Sequence, residues 1–214
     1  MNIVVLISGE GTNLQAIIDA IENKAITHGK IVAVISNIPA VGGIERAHQH
    51  NINTEIVDHR AFDNRLEFDQ QLQSKIDQYK PDLLILAGFM RILTDEFVDH
   101  YKGKMLNIHP SLLPKYKGLN THSRVLAARD SEHGCTVHFV SSELDSGAII
   151  AQAKVVVESN DTVDSLSKKV QMQEHYIYPK CIDLFCNQQI KLTDNGVEYQ
   201  GTLLATQGLD LTTR

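Results

Sequence analysis

Asn2-Ile3-Val4-Val5-Leu6-Ile7-Ser8-Gly9-Glu10-Gly11-Thr12-Asn13-Leu14 reads as a strand that turns at once into a helix. Residues 2–8 are a β-branched, apolar run of the kind buried on both faces of a sheet. The two glycines permit a tight reversal, and Leu14, Ile17, Ile18 and Ile21 then recur at helical spacing. A strand feeding a helix through a short turn is the repeating unit of α/β proteins.

Working outward, the alternation continues. Lys30–Ser36, rich in Val and Ile, predicts a second strand, residues 43–50 a helix and residues 54–57 a third strand. Residues 62–79 predict a long helix with Leu66, Leu72, Ile76 and Tyr79 toward the core. Pro81 precedes a continuously apolar strand over 82–87, and Thr94 caps a short helix that opens with Asp95 and Glu96. Met105–His109 is a strand stopped by Pro110, followed by a loop and a helix over 121–130. Strands over 135–140 and 148–157 flank a loop, Ser141 to Gly147, and Val163–Cys186 is a last helix that Pro179 should kink or break. Asp194-Asn195-Gly196 marks a hairpin between Ile190–Thr193 and residues 197–200. The tail after Gly201 is polar and expected to be partly mobile. The pattern implies parallel pairing with right-handed crossovers: one doubly wound, mostly parallel α/β sheet with an antiparallel C-terminal addition. The expected division is one domain over 1–190, with a hairpin and tail over 191–214 attached to it.

Composition excludes several classes. The chain has 214 residues, 43% of them hydrophobic and 21% charged, which fits a globular domain and not a coiled coil, a collagen or a disordered chain. Apolar runs stay far short of the ~20 residues of a membrane span, and the first residues read as a strand, so neither membrane nor secretory signal is expected. Twenty basic against 26 acidic residues give a net charge of −6, which carries no footprint of a nucleic-acid binder. Three cysteines, Cys135, Cys181 and Cys186, make no disulfide framework and lack zinc-site spacing, so the expected compartment is reducing cytoplasm.

Gly9-Glu10-Gly11-Thr12-Asn13 lies where the first strand enters the first helix. Free N–H groups at a helix N-terminus suit an anion, and Thr12 and Asn13 add short side-chain donors. A dinucleotide site fails two tests. A third glycine would fall at Leu14, and Ser36-Asn37 stand where an acidic residue should end the second strand. A monophosphate is the better ligand, with Glu10 turned to solvent, although a bare βα turn also fits these residues.

Asn107-Ile108-His109-Pro110-Ser111 places Asn107 and His109 on one face of a strand end. Ligands of open α/β sheets gather at such ends. An amide beside an imidazole can polarise a carbonyl and stabilise an oxyanion, and a structural pair also fits. Asp145, in the loop Ser141 to Gly147, is a carboxylate that could hold the imidazole and its charge. As a residue before Ser-Gly it also fits a plain turn.

These stretches, with Leu86-Ala87-Gly88-Phe89-Met90-Arg91-Ile92-Leu93, Asn107 through Pro114, Val137-His138-Phe139-Val140 and Gln171, Glu174, His175, Tyr178-Pro179, resemble the formyltransferase family in its glycinamide ribonucleotide branch. The resemblance runs from residue 1 to about 190. It implies a Rossmann-like formyltransferase fold and transfer of a formyl group from 10-formyltetrahydrofolate to the amine of glycinamide ribonucleotide, in purine biosynthesis and without a metal. It further implies catalytic Asn107, His109 and Asp145. Gly11, Thr12 and Asn13 would hold the substrate phosphate, and Gln171 and Glu174 the ribose. Arg65, Met90, Arg91, Ile92, Leu93 and Asn107 would form the folate cleft, closed by Ser141, Ser142, Glu143, Leu144 and Asp145. Read locally, Met90, Ile92 and Leu93 fit core packing, Arg65 and Glu174 fit helix surface, and His138 fits a satisfied core histidine.

The sequence departs from close relatives at Glu10, often Asn, at Thr12, often Ser, and at Asn120, often His, which leaves His122 as the nearby imidazole. A tRNA-directed formyltransferase would add a C-terminal barrel and basic surface. Neither is expected from the residues after 190 or from the charge. A formyltetrahydrofolate hydrolase would usually add an N-terminal regulatory domain, which is not expected where the first strand begins at residue 2. The remaining rival is a nucleotide-binding module without catalysis, and oligomeric state stays open between monomer and weak homodimer.

Overall fold

The computed structural model of the protein describes residues 1–213. Strand β1 (Asn2–Ile7) feeds helix α1 (Thr12–Glu22), and the alternation continues through β2 (Lys30–Ser36), α2 (Gly42–Gln49), β3 (Thr54–Ile56), α3 (Arg65–Asp77), β4 (Leu83–Leu86), α4 (Asp95–His100), β5 (Met105–His109) and α5 (Thr121–Ala128). Then come β6 (Glu132–Phe139), β7 (Ile149–Val156), the long α6 (Val163–Cys186) and the short strands β8 (Ile190–Thr193), β9 (Gly196–Tyr199), β10 (Thr202–Leu203) and β11 (Leu209–Asp210). One sheet has the order β11-β7-β6-β5-β4-β1-β2-β3, and β10-β9-β8 form a small antiparallel sheet.

The order places the site. From β1 the chain moves outward to β2 and β3, then returns to β1's other side with β4 and β5. Neighbouring βα turns diverge where that reversal occurs, so the crevice at the carboxyl ends of β1 and β4 is the natural ligand position. Side chains alternate between two cores. Ile3, Val5, Ile7, Leu106 and Ile108 pack with α1, α2 and α6 on one face. Val4, Leu6, Met105 and residues of α3 and α4 pack on the other. Asn107 and His109 share the parity of Met105, so both project on the α3–α4 side at the open end of β5.

Several expectations need correction. The long helix expected over 62–79 is the shorter α3, Arg65–Asp77, preceded by a separate 3₁₀ turn at His59–Ala61. Asn64 caps α3 by accepting from the Glu67 N–H at 3.0 Å, which fixes its start. Leu66, expected in the core, is 45% exposed, and Phe68 takes the buried position. Pro179 does not end α6, which runs on to Cys186. β6 starts at Glu132, before the expected residue 135, and it pairs antiparallel with both β5 and β7 inside the main sheet. The tail expected to be mobile is held down: Leu209 and Asp210 pair in parallel with Ala151 and Gln152, and Leu209 and Leu211 pack on the core.

Candidate active site

The turn after β1 is shaped by contact with α2. Gly11 takes a left-handed φ of +71°, and a Cβ there would lie 2.6 Å from the Gly43 Cα. Only glycine fits that approach. Thr12 and Asn13 open α1, and α6 crosses beside them. Gln171 donates through Nε2 to Thr12 Oγ1 at 3.1 Å, and Asn13 donates through Nδ2 to Glu174 Oε2 at 3.0 Å. The five residues expected at phosphate and ribose are therefore together. Burial pushes the Glu174 carboxyl up to about 7, against the lowering effect of the Asn13 amide. Glu10 is exposed, as expected.

The turn after β4 carries the expected folate residues. Its backbone is pinned by Ser8, whose hydroxyl accepts from the Met90 N–H at 2.8 Å and donates to Asn37 Oδ1 at 2.5 Å. Asp69, buried on α3, accepts from the Thr94 N–H at 2.6 Å and holds the far end of the same turn. Burial pushes the Asp69 carboxyl up, and the Thr94 contact offsets part of that. Arg91, Ile92, Leu93, Asn107, Ser141, Ser142, Leu144 and Asp145 line a cavity of about 100 Å³ together with His138. Phe89, Val98 and Val140 supply apolar wall, which suits a flat heteroaromatic ring. Met90, Arg65 and Glu143 stand outside that lining. The Met90 side chain is 67% exposed and Arg65 is exposed at the start of α3.

His109 is 6% exposed, is not among the lining residues, and touches the lining through Asp145. Both ring nitrogens face acceptors. Nε2 donates to the Tyr116 carbonyl at 2.9 Å, and Nδ1 lies 3.4 Å from Asp145 Oδ2. Asp145 Oδ2 also accepts from the Gly118 N–H at 2.8 Å. Lys117 binds Ser146 and pairs with Glu143 at 3.2 Å, so the loop after β5 clasps the loop after β6. Gly147 makes that fold possible: a Cβ there would fall 1.7 Å from the Phe139 carbonyl oxygen.

His138 is a satisfied buried histidine that also touches the site. Its Nδ1 donates to the Phe139 carbonyl at 2.8 Å, so its Nε2 accepts from Asn107 Nδ2 at 3.2 Å. Burial lowers its pKa, which keeps the accepting form. One Asn107 N–H is thereby committed and the other remains for a ligand. His122 Nδ1 lies 2.9 Å from Nε2 of the buried His133, whose pKa burial and the neighbouring His122 and His109 pull down to about 4.

Ser8, Asn37, Asp69 and the Tyr116 carbonyl were missed by sequence reasoning. Ser8 and Asn37 had a readable signal, polar residues ending two apolar strands. A backbone carbonyl has none.

A family model described as formyl transferase matches residues 1–182. The phosphoribosylglycinamide formyltransferase of Escherichia coli (strain K12) is 51% identical over 208 residues, 97% of this chain and 98% of that protein. The trifunctional purine biosynthetic protein adenosine-3 of Bos taurus is 46% identical over 195 residues, covering 91% of this chain and 19% of that longer protein. The solved structure of the phosphoribosylglycinamide formyltransferase from Coxiella burnetii is similar with a TM-score of 0.94 at 48% identity, covering 98% of both chains.

Proposed function

The chain belongs to the formyl transferase family, and on that premise we propose that it transfers the formyl group of 10-formyltetrahydrofolate to the amine of glycinamide ribonucleotide. The products are formylglycinamide ribonucleotide and tetrahydrofolate, and the step serves purine biosynthesis in the cytoplasm. One observation carries the assignment of roles. Asn107 and His109 leave β5 on the same face, with Asp145 3.4 Å from the imidazole and with Asn107 and Asp145 both lining the apolar slot.

The amine attacks the formyl carbon, a C–N bond forms, and negative charge develops on the formyl oxygen. Asn107 meets that charge with the N–H that His138 leaves free. A donor fixed in advance is worth most at this point, because it pays no reorganisation cost as the charge appears. His109 donates through Nδ1, whose contact with Asp145 is the looser of its two. Asp145, released from that N–H, orders a water that takes the amine proton. The bond from carbon to the folate nitrogen then breaks as that nitrogen gains a proton, so the proton lost by one nitrogen balances the one gained by the other. Gly11, Thr12 and Asn13 hold the phosphate, and Gln171 and Glu174 the ribose hydroxyls. The slot is smaller than the ~300–1,000 Å³ usual for small-molecule sites, so the exposed Ser142–Leu144 stretch moves outward to admit the pterin and to uncover His109.

Purified protein given both substrates should release tetrahydrofolate in proportion to formylated product, followed by absorbance and mass spectrometry. Absence of transfer with correctly folded protein contradicts the assignment.

A further inference from the structure

The loop over residues 9–13 offers backbone N–H groups and the positive end of α1, and it contributes no basic side chain. Its one ionisable residue, Glu10, has the wrong charge for a phosphate. A phosphate monoester carries close to two negative charges at neutral pH. A cation from elsewhere in the fold would strengthen its binding through charge-assisted hydrogen bonds.

Helix α2 supplies one. Gly43 packs directly under the loop, and its N–H donates to the Gly9 carbonyl at 3.0 Å. Arg46 follows three residues later, on the same helix face. Its Nε donates to the Glu10 carbonyl at 2.8 Å and its Nη1 to Gln15 Oε1 at 3.3 Å. The guanidinium is thus tied to the loop backbone while donors on its terminal nitrogens stay free. Among the described residues, no carboxylate lies within 4.0 Å of it. Glu10 does not neutralise it. That side chain reaches over the start of α2, where Oε2 lies 2.7 Å from the position a Gly42 Cβ would take. There it meets the positive end of α2. Arg46 and Thr12 line one groove of about 760 Å³ between α1 and α6.

We propose that Arg46 is a substrate-binding residue whose guanidinium is the counter-charge for the phosphate of the ribonucleotide substrate. The proposal rests on the phosphate role given above to Gly11, Thr12 and Asn13. Helix α2 then shapes the loop through Gly43 and charges it through Arg46. The Glu10 carboxylate lies over the start of α2 and does not pair with this guanidinium.

The test uses full-length Arg46→Gln and Arg46→Lys. KM is measured for each substrate separately, at low and high salt, and inorganic phosphate is titrated by calorimetry. A lost charge-assisted contact predicts a rise of about 10-fold or more in KM for the phosphorylated amine in Arg46→Gln. A similar rise is expected in the phosphate Kd. KM for folate should stay within about 2-fold and kcat within about 3-fold, Arg46→Lys should recover part of the loss, and salt should matter less in Arg46→Gln than in wild type. Unchanged KM and phosphate Kd overturn the proposal. So does an equal rise in both KM values with a lower Tm, which would make Arg46 a brace for the loop. Failure of wild-type protein to formylate glycinamide ribonucleotide would instead overturn the function above, and phosphate calorimetry reads Arg46 independently of turnover.

Discussion

Glu174 shows how burial sets the chemistry of one residue. Its carboxyl is 8% exposed and its pKa rises from 4.5 to about 7. The folded state therefore prefers the protonated acid. Its contribution to stability is fully present below pH 4.5 and is lost as pH rises through 7, by about 3 kcal/mol across that window. Glu174→Gln keeps the shape and removes the titration. Urea unfolding from pH 4.5 to 7 should show the variant gaining stability relative to wild type as pH rises. A constant difference across the range would show that Glu174 does not titrate there. Single residues also show where sequence reading stops. Asn107, His109 and Asp145 were legible because alternation along β5 and a Gly-ended loop place them without knowledge of distant contacts. His138 was not resolved between core and site, because both descriptions hold: it is buried and satisfied, and one of its bonds holds Asn107. Gly11 is a poor probe of phosphate binding, since any side chain there meets the Gly43 backbone before it meets a ligand.

At the scale of elements, α6 ties the sheet to the site. Tyr178, fully buried, donates its hydroxyl to the carbonyls of Leu86 and Leu106, at 2.8 and 3.0 Å. The Leu86 carbonyl ends β4 just before its turn, and the Leu106 carbonyl lies in β5 just before Asn107. Tyr178→Phe should cost about 1–3 kcal/mol, because it leaves buried acceptors short of a donor. Chemical denaturation reads this directly, and wild-type stability in the variant would mean the two carbonyls are satisfied without it. The course of α6 past Pro179 was not legible. Local chemistry predicts a break there, and the break is overridden by Ile177, Tyr178, Cys181 and Ile182, all packed into the core on either side of the proline. The long helix expected over 62–79 failed for the opposite reason. Asn64 is a local cap that starts the helix three residues late, at Arg65, and it outweighs the apolar periodicity before it. The strands of the main sheet up to β7 fared better, since they are short apolar runs ended by Gly, Pro or polar residues.

Across the whole molecule, the order of strands could not be read from one sequence, because pairing depends on contacts far apart in the chain. The parallel edge made by β11 is the clearest case: two residues of a polar tail return to β7. Ending the chain after Thr206 removes that strand and uncovers Leu209's and Leu211's packing sites. About 2–3 kcal/mol of partial apolar burial is lost, so Tm should fall by roughly 5–10 °C. Calorimetry that finds an unchanged Tm would mean the tail adds nothing to the fold. The architecture as a whole sets the glycine turn after β1, the apolar slot after β4 and the His109–Asp145 pair after β5 at the carboxyl ends of neighbouring strands. Single-turnover formyl transfer under saturating substrates, compared between wild type, His109→Ala and Asp145→Ala, tests that convergence most directly. Each variant should lose about 10²-fold or more in the rate of transfer while still binding both substrates. A rate near that of wild type in either one would remove that residue from the chemistry.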